Sequence, residues 1–335
     1  MANPPTIKEI ADKLKLAKST VSRALHDHPS IGLRTRMKVQ ELARALNYEP
    51  NQTAIHFQQK KTFTIGIVLP ELSEAFFSAA ISGIEDAANQ NNYMVLLGQS
   101  HDDVAREKKI VEIMKNHRVD GLIVSLAKNT GDYAHFEALE KFNIPVVFFD
   151  RIPDKKDIHY VACNMESGTL QAVSLLLEKG HRVIGMINGP EELVATPQRE
   201  AGFKQALQKK RLKFDASLIV HADLTKDGTR KAMQQLLSNK RKVTAIVAFN
   251  DYVAQDAVQY ALEQGIKVNK ELTFVSYANL PLSSYMAFPP IASVEQYPYE
   301  QGFKATEILL SLLTQKEQKE FQHIIIDSRL VIRSL

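Results

Sequence analysis

A single cysteine, Cys163, leaves the chain no possible intrachain disulfide, which suits a reducing compartment and excludes a disulfide-stapled scaffold. No stretch approaches the ~18 to 20 consecutive apolar residues of a membrane-spanning helix. The polar start MANPPTIKE lacks a secretory pattern, so a cytoplasmic protein without membrane association is expected. Catalytic signatures are also missing: there is no G-x-S-x-G elbow, no H-E-x-x-H pair and no Walker loop. The ten histidines are scattered, and His26 and His28 have no further ligands beside them. Neither an enzyme nor a metal or cofactor site is expected.

What the chain does contain is 335 residues, 44% of them hydrophobic, enough for two or three domains with a large core. The net charge of +4 conceals an asymmetry: residues 1–61 hold 11 Lys/Arg against 5 Asp/Glu, whereas the remainder holds 31 against 33. A basic small domain can be no more than a solvated surface, but here the excess coincides with a patterned segment, residues 6–57. Thr6 is placed to cap a helix, with Glu9 three residues on and Ile7, Ile10, Ala11 and Leu14 along one face. After a break at 14–17, residues 18–25 turn Val21, Ala24 and Leu25 inward and Lys18, Ser19, Ser22 and Arg23 outward. This pattern is a helix-turn-helix with the second helix as reader. A third helix over 35–46 is expected to close the small core with Met37, Val39, Leu42, Ala43 and Leu46, and Pro50 ends the regular pattern.

Residues 51–59, NQTAIHFQQ, form a polar linker too short to hold a helix alone in water. Beyond Lys61 strands alternate with amphipathic helices, the mark of parallel sheets built from βαβ units. Strands are predicted near 64–69, 93–98, 121–125 and 146–149, with helices near 76–89, 103–116 and 132–142. A second set has helices near 167–179, 197–210, 226–237 and 252–264 and strands at 183–188, 218–221, 245–249 and 273–277. A tail of strand 291–294, helix 300–313 and strands 321–326 and 330–332 returns to the first set before ending in the second. The expected fold class is thus α/β: an N-terminal all-α headpiece (1–49), a hinge and linker (50–61), and two doubly wound lobes of periplasmic-binding-protein type (62–335). The first lobe is expected at 62–161 plus 291–325 and the second at 162–290 plus 326–335.

Three separated blocks, IADKLKLAKSTVSRAL, then Thr35-Arg36, then LNYEPN at 46–51, agree in order and spacing with the headpiece and hinge of one family. The chain resembles the lac-repressor/gal-repressor family of bacterial transcription regulators, and the resemblance covers essentially its whole length. It implies double-stranded operator DNA as a partner, a homodimer, and control by a small effector in the cleft between the lobes. No heptad-patterned tail follows Arg333, so a dimer is the expected assembly. At the turn the sequence departs from the family: Lys15 stands where Gly is usual and Ala17 where a capping Ser is usual. By the resemblance Lys18, Ser19, Thr20 and Arg23 belong to the reading helix, and Thr6, Ser22, Thr35 and Tyr48 hold phosphates. Asn51, Ala54 and Phe57 belong to the hinge. There Phe57 takes the place of the family's leucine lever in the minor groove.

Ligands of open α/β sheets lie beyond the carboxyl ends of the strands. The loop PELSEAFF offers Ser73 and Phe76, although Phe76 and Phe77 can equally be core residues of the following helix. Asp150 and Arg151 end a strand, where a surface ion pair is the bland alternative. Arg199 in PQREAGF and Asn250 in AFNDYV match family ligand positions, with Asp251 a possible cap for the next helix, and Gln296 matches a hinge-side contact. At Ala278 many sugar-responsive members have Asp. That absence speaks against a plain neutral sugar and, with Arg199 and Arg151 taken as uncompensated, favours an anionic effector such as a sugar acid or sugar phosphate. The rival expectation is a small-molecule binding protein with a vestigial headpiece.

Overall fold

The computed structural model describes residues 5–49, 61–314 and 320–333. The chain divides into two compact units, Met1–Thr62 and Phe63–Leu335. The hinge positions Asn51, Ala54 and Phe57 lie outside the described residues.

The first unit has three helices, α1 (Ile7–Leu14), α2 (Lys18–Leu25) and α3 (Leu33–Ala45). The Thr6 hydroxyl accepts the Glu9 N–H at 3.3 Å, while the Glu9 carboxylate pairs with Lys13 at 3.0 Å rather than completing a reciprocal cap. Lys15 ends α1 in the left-handed region at φ 53°, and Ala17 begins α2 with no side-chain cap. Ile10, Ala11, Val21, Ala24, Val39 and Ala43 form the core, with Leu42 and Leu46 packed against it. Met37 does not join them and is 61% exposed. Its position two residues before Val39 puts it on the opposite side of α3, in line with the similarly exposed Leu33 four residues earlier. Gln40 donates to the Asp27 carboxylate at 2.9 Å and ties α3 to the loop after α2.

The second unit holds two six-stranded sheets. The first runs in the order β2 (Met94–Gln99), β1 (Thr64–Leu69), β3 (Gly121–Val124), β4 (Val146–Phe149), β5 (His159–Asn164) and β11 (His323–Asp327), all parallel. The other runs β7 (Ile219–His221), β6 (Ile184–Asn188), β8 (Ala245–Ala248), β9 (Thr273–Tyr277), β10 (Ala292–Glu295) and β12 (Arg329–Ile332), parallel except for β12. The central strands are near-continuous Val, Ile, Leu and Ala because helices cover both faces. Flanking the first sheet are α4 (Ala75–Asn89), α5 (Val104–Asn116), the one-turn α6 (Ala134–Glu137) and α11 (Pro298–Thr314). Flanking the second are α7 (Met165–Glu178), α8 (Ala195–Lys209), α9 (Lys226–Leu237) and α10 (Asp251–Glu263). Helices α7 and α8 approach so closely that a Cβ on Gly202 would drive into the Glu166 carbonyl.

Three lobe assignments differ from the expectation. Residues 291–295 were expected in the first lobe, but β10 pairs Ala292 with Val275 and Ser293 with Ser276, so they belong to the second sheet. The return to the first lobe begins only at α11. Residues 162–164 were expected in the second lobe, but they complete β5, which pairs with β4 and β11 in the first sheet. Ile326 and Asp327, also expected in the second lobe, pair with Cys163 and Asn164 in the first. The segment 132–142 is not one helix: α6 tightens into a 3-10 turn, Ala138–Phe142, closed by left-handed Asn143. The chain passes between lobes after β5, after β10 and after β11, where Asn164 bonds Asp327 at 3.1 Å and Ser328 donates to the Asn164 carbonyl at 2.8 Å.

A candidate effector cleft and DNA-reading face

Loops at the carboxyl ends of both sheets face one another across a cleft of about 390 Å³. Ser73, Phe76, Asp150, Arg151, Arg199, Asn250, Ala278 and Gln296, all singled out in the sequence, line it together. Their surroundings differ in what they leave available.

Arg199, on α8, is 3% exposed and has no carboxylate partner among the described residues. One Nη donates to the Phe249 carbonyl at 2.9 Å, the other meets only the Met165 sulfur at 3.9 Å, and Nε has no acceptor. The guanidinium lies between the rings of Phe249 and Tyr277, 3.9 and 4.1 Å from their centroids. Burial lowers its pKa, opposed by nearby Tyr277 and Asp150. Asp150 adopts the left-handed region at φ 57° and accepts from Ser125 at 3.5 Å. Burial pushes its carboxyl up to about 6, against the pull of Arg151 and Arg199.

Arg151, by contrast, is compensated: it donates to Asp102 at 2.6 Å, so the expectation of a second free arginine is corrected. Asn250, not Asp251, caps α10, accepting the Val253 N–H at 2.8 Å. Asp251 is buried and receives Ser276, Ser293 (3.1 Å), the Leu280 N–H (2.6 Å) and Arg333 (3.2 Å), which holds the loop bearing Ala278. Ala278 itself sits at φ 80°. Gln296 is buried and touches the Met165 sulfur at 3.8 Å. Phe76 is both a cleft residue and a core residue, 7% exposed and packed edge-on to Phe77 with centroids 5.3 Å apart. Ser73 spends its hydroxyl on Glu71 at 3.1 Å.

Several lining residues were not anticipated, among them Glu74, Asp102, Lys128, Asp223 and Tyr252. All follow strand ends, and that position was the only signal in the sequence. Three of them bridge the lobes: Lys128 donates to the Asp223 carbonyl at 3.4 Å, and the Tyr252 hydroxyl accepts the Ala75 N–H at 3.5 Å.

In the first unit, Lys18, Ser19 and Arg23 are exposed on α2, while Thr20 and Ser22 are half-buried beside the core residues Val21 and Ala24. Thr35 and Tyr48 are half-buried, and Thr6 serves α1 as its cap. No helix among the described residues is long and apolar enough to cross a membrane, and no group of metal-ligating side chains occurs among them.

The model of bacterial regulatory proteins of the lacI family matches residues 6–51, and that of a periplasmic binding protein domain matches 65–317. The transcriptional repressor CytR of Escherichia coli K12 is 31% identical over 98% of this chain and 95% of its own length. Catabolite control protein A of Priestia megaterium is 32% identical over 94% and 93%. The lac repressor dimer bound to operator and an anti-inducer superimposes with a TM-score of 0.81 at 25% identity, covering 98% of each chain. These relatives are transcriptional regulators rather than enzymes. A three-helix unit with exposed polar side chains on α2 and a two-lobed unit with a polar cleft correspond to the two family models, and the chain belongs to the LacI family of bacterial DNA-binding transcription regulators.

Proposed function

We propose that this regulator is a cytoplasmic, homodimeric repressor whose affinity for its operator is set by a small hydroxylated effector held between the lobes. The observation that carries the reading is Arg199, a buried guanidinium with an unpartnered Nε at the cleft and no counter-carboxylate bonded to it among the described residues. Such a group is costly to bury unless something completes its hydrogen bonds, and a ligand oxygen can do so. Of the two effector classes expected, the charges speak against the anionic one. Carboxylates of Glu71, Glu74, Asp102, Asp150, Glu192 and Asp223 line the cleft against Lys128, Arg151 and Arg199. An anion would satisfy Arg199 while facing that acidic excess. A hydroxyl accepts from Arg199 and donates to Asp150.

Lys18, Ser19 and Arg23 are proposed to read base edges, with Thr6, Thr20, Ser22, Thr35 and Tyr48 on the backbone side. A dimer is supported by apolar side chains left in solvent on edge strand β2, where Met94 is 74% exposed, and by Leu282, Tyr285 and Phe288 on the loop after β9. Because the ligand touches both lobes, it favours their closed arrangement, and closure is the switch.

The test is operator affinity with and without an effector found by thermal-shift screening of sugars, sugar acids, phosphates and nucleosides. Arg199→Ala should abolish the effector's influence, normally a factor of about 5 to 150, while leaving effector-free DNA binding nearly intact. A variant that responds as the parent does would refute the assigned cleft.

A further inference from the structure

The first-lobe wall of the cleft has an acidic excess that its own residues do not neutralise. It presents Glu71, Glu74, Asp102 and Asp150 against Lys128 and Arg151. Asp102 takes Arg151 at 2.6 Å and Lys128 at 4.0 Å, and Glu71 is bonded by Gln99 and by His101 at 3.2 Å. Both cations and two of the acids are thereby accounted for.

Asp150 accepts from Ser125 at 3.5 Å, which leaves Glu74 as the exception. It stands at the cap position of α4, yet its side chain accepts none of that helix's N–H groups. Among the described residues it has no ion pair or side-chain hydrogen bond, although it is half-buried. Burial pushes its carboxyl above the ordinary range. Arg151 pulls it back, and Asp150, Asp102 and Glu71 push it further up. Across the cleft Arg199 has the opposite need, because its unpartnered Nε calls for an acceptor.

A ligand filling this space must therefore accept on the second-lobe side and donate on the first. A hydroxyl brings one proton and no charge, so a wholly neutral polyol would desolvate the acidic wall without offsetting it. An amino group brings two or three N–H donors and, when protonated, a compensating charge.

We propose that the effector carries an amino group on its hydroxylated framework, and that Glu74 is the residue that selects for it. The amino group faces Glu74 and Asp150, while ligand oxygens accept from Arg199. This rests on the reading of the cleft as the effector site and adds a chemical class to it. The N–H donors occur both in an amino sugar, which also carries the charge, and in a nucleoside with an exocyclic amine, whose conjugated nitrogen stays neutral.

The experiment is calorimetric titration of the full-length protein with glucosamine against glucose and with adenosine against inosine, in the parent and in Glu74→Gln. In one arm or the other the amino ligand should bind about tenfold more tightly than its partner, and Glu74→Gln should bring the two within about twofold. The arm that discriminates identifies the source. The parent comparison does not depend on the variant folding, and the variant's ligand-free melting temperature checks its fold. Equal or weaker binding of the amino ligand in both arms, discrimination that survives Glu74→Gln, or no binding of either amino ligand would each overturn the proposal. Arg199→Ala separates this from failure of the cleft reading. If an amino ligand binds that variant as it binds the parent, the site lies elsewhere. If binding is lost, the cleft stands whatever Glu74 does.

Discussion

Replacing Asp150 with Asn should stabilise the protein at neutral and alkaline pH and do little in acid. The carboxyl rises from 3.8 to about 6 in the folded state, chiefly because burial opposes its charge. A raised carboxylate pKa means that the native state binds a proton more tightly than the unfolded chain, so its ionisation lowers stability as pH climbs from the ordinary carboxylate range through about 6. At about 1.4 kcal/mol per pH unit, the full penalty is about 3 kcal/mol by pH 8 and falls to about 0.5 kcal/mol at pH 4. Asn stays neutral throughout and can still accept from Ser125. It also tolerates the left-handed backbone at φ 57°. The pull of Arg151 and Arg199 on the ionised carboxylate is already contained in the net rise, so removing it needs no separate correction. The assay is urea denaturation of parent and variant at pH 4, 6 and 8, with the stability difference plotted against pH. Titrations of groups that Asp150 does not influence cancel in that difference, whereas Glu74, which Asp150 helps push up, is relieved in the same direction. A gap that does not change with pH, or an Asp150→Asn variant less stable than the parent at pH 8, would refute the reasoning.

The turn of the reading motif carries two correctable defects: Lys15→Gly should relieve its left-handed backbone and Ala17→Ser should restore a cap, each adding about 1 kcal/mol, seen as slower amide exchange in residues 6–46. Unchanged exchange in both variants would count against that account. Gly202→Ala forces α8 away from α7 and should lower the urea midpoint by an amount equivalent to about 1 to 3 kcal/mol, whereas an unaltered midpoint would mean the helices can part freely. Arg23→Ala should relax preference at particular base pairs, removing ~1 to 3 kcal/mol of discrimination, while Thr35→Ala should weaken all duplexes alike. Equal losses across all duplexes for Arg23→Ala would sink that division of labour.

Helix and strand positions were legible in the sequence because local forces set them: the Thr6 cap, the alternation of apolar runs with turn residues, and the 3.6-residue stripes on α4, α9 and α10. So was the lining position Asn250, since a residue just past a strand end reaches the cleft wherever the rest of the lobe goes, whereas Arg199, inside α8, was found only through the family motif in PQREAGF. Met37 shows the limit. Its face on α3 depended on where the helix packs, and the apolar pattern alone did not distinguish it from Val39. The lobe boundary near 291 was decided by the pairing of β10 with β9, a competition between distant edges that no local pattern encodes. The state of each charge was settled only by folding. Arg151 and Asp102 are 49 residues apart, and their contact leaves Arg199 as the unpaired arginine and Glu74 as one of the unpaired acids among the described cleft residues. Pairing and desolvation depend on spatial neighbours, so residue type and spacing determined which groups reach the cleft, and tertiary structure determined which of them remain unsatisfied within it.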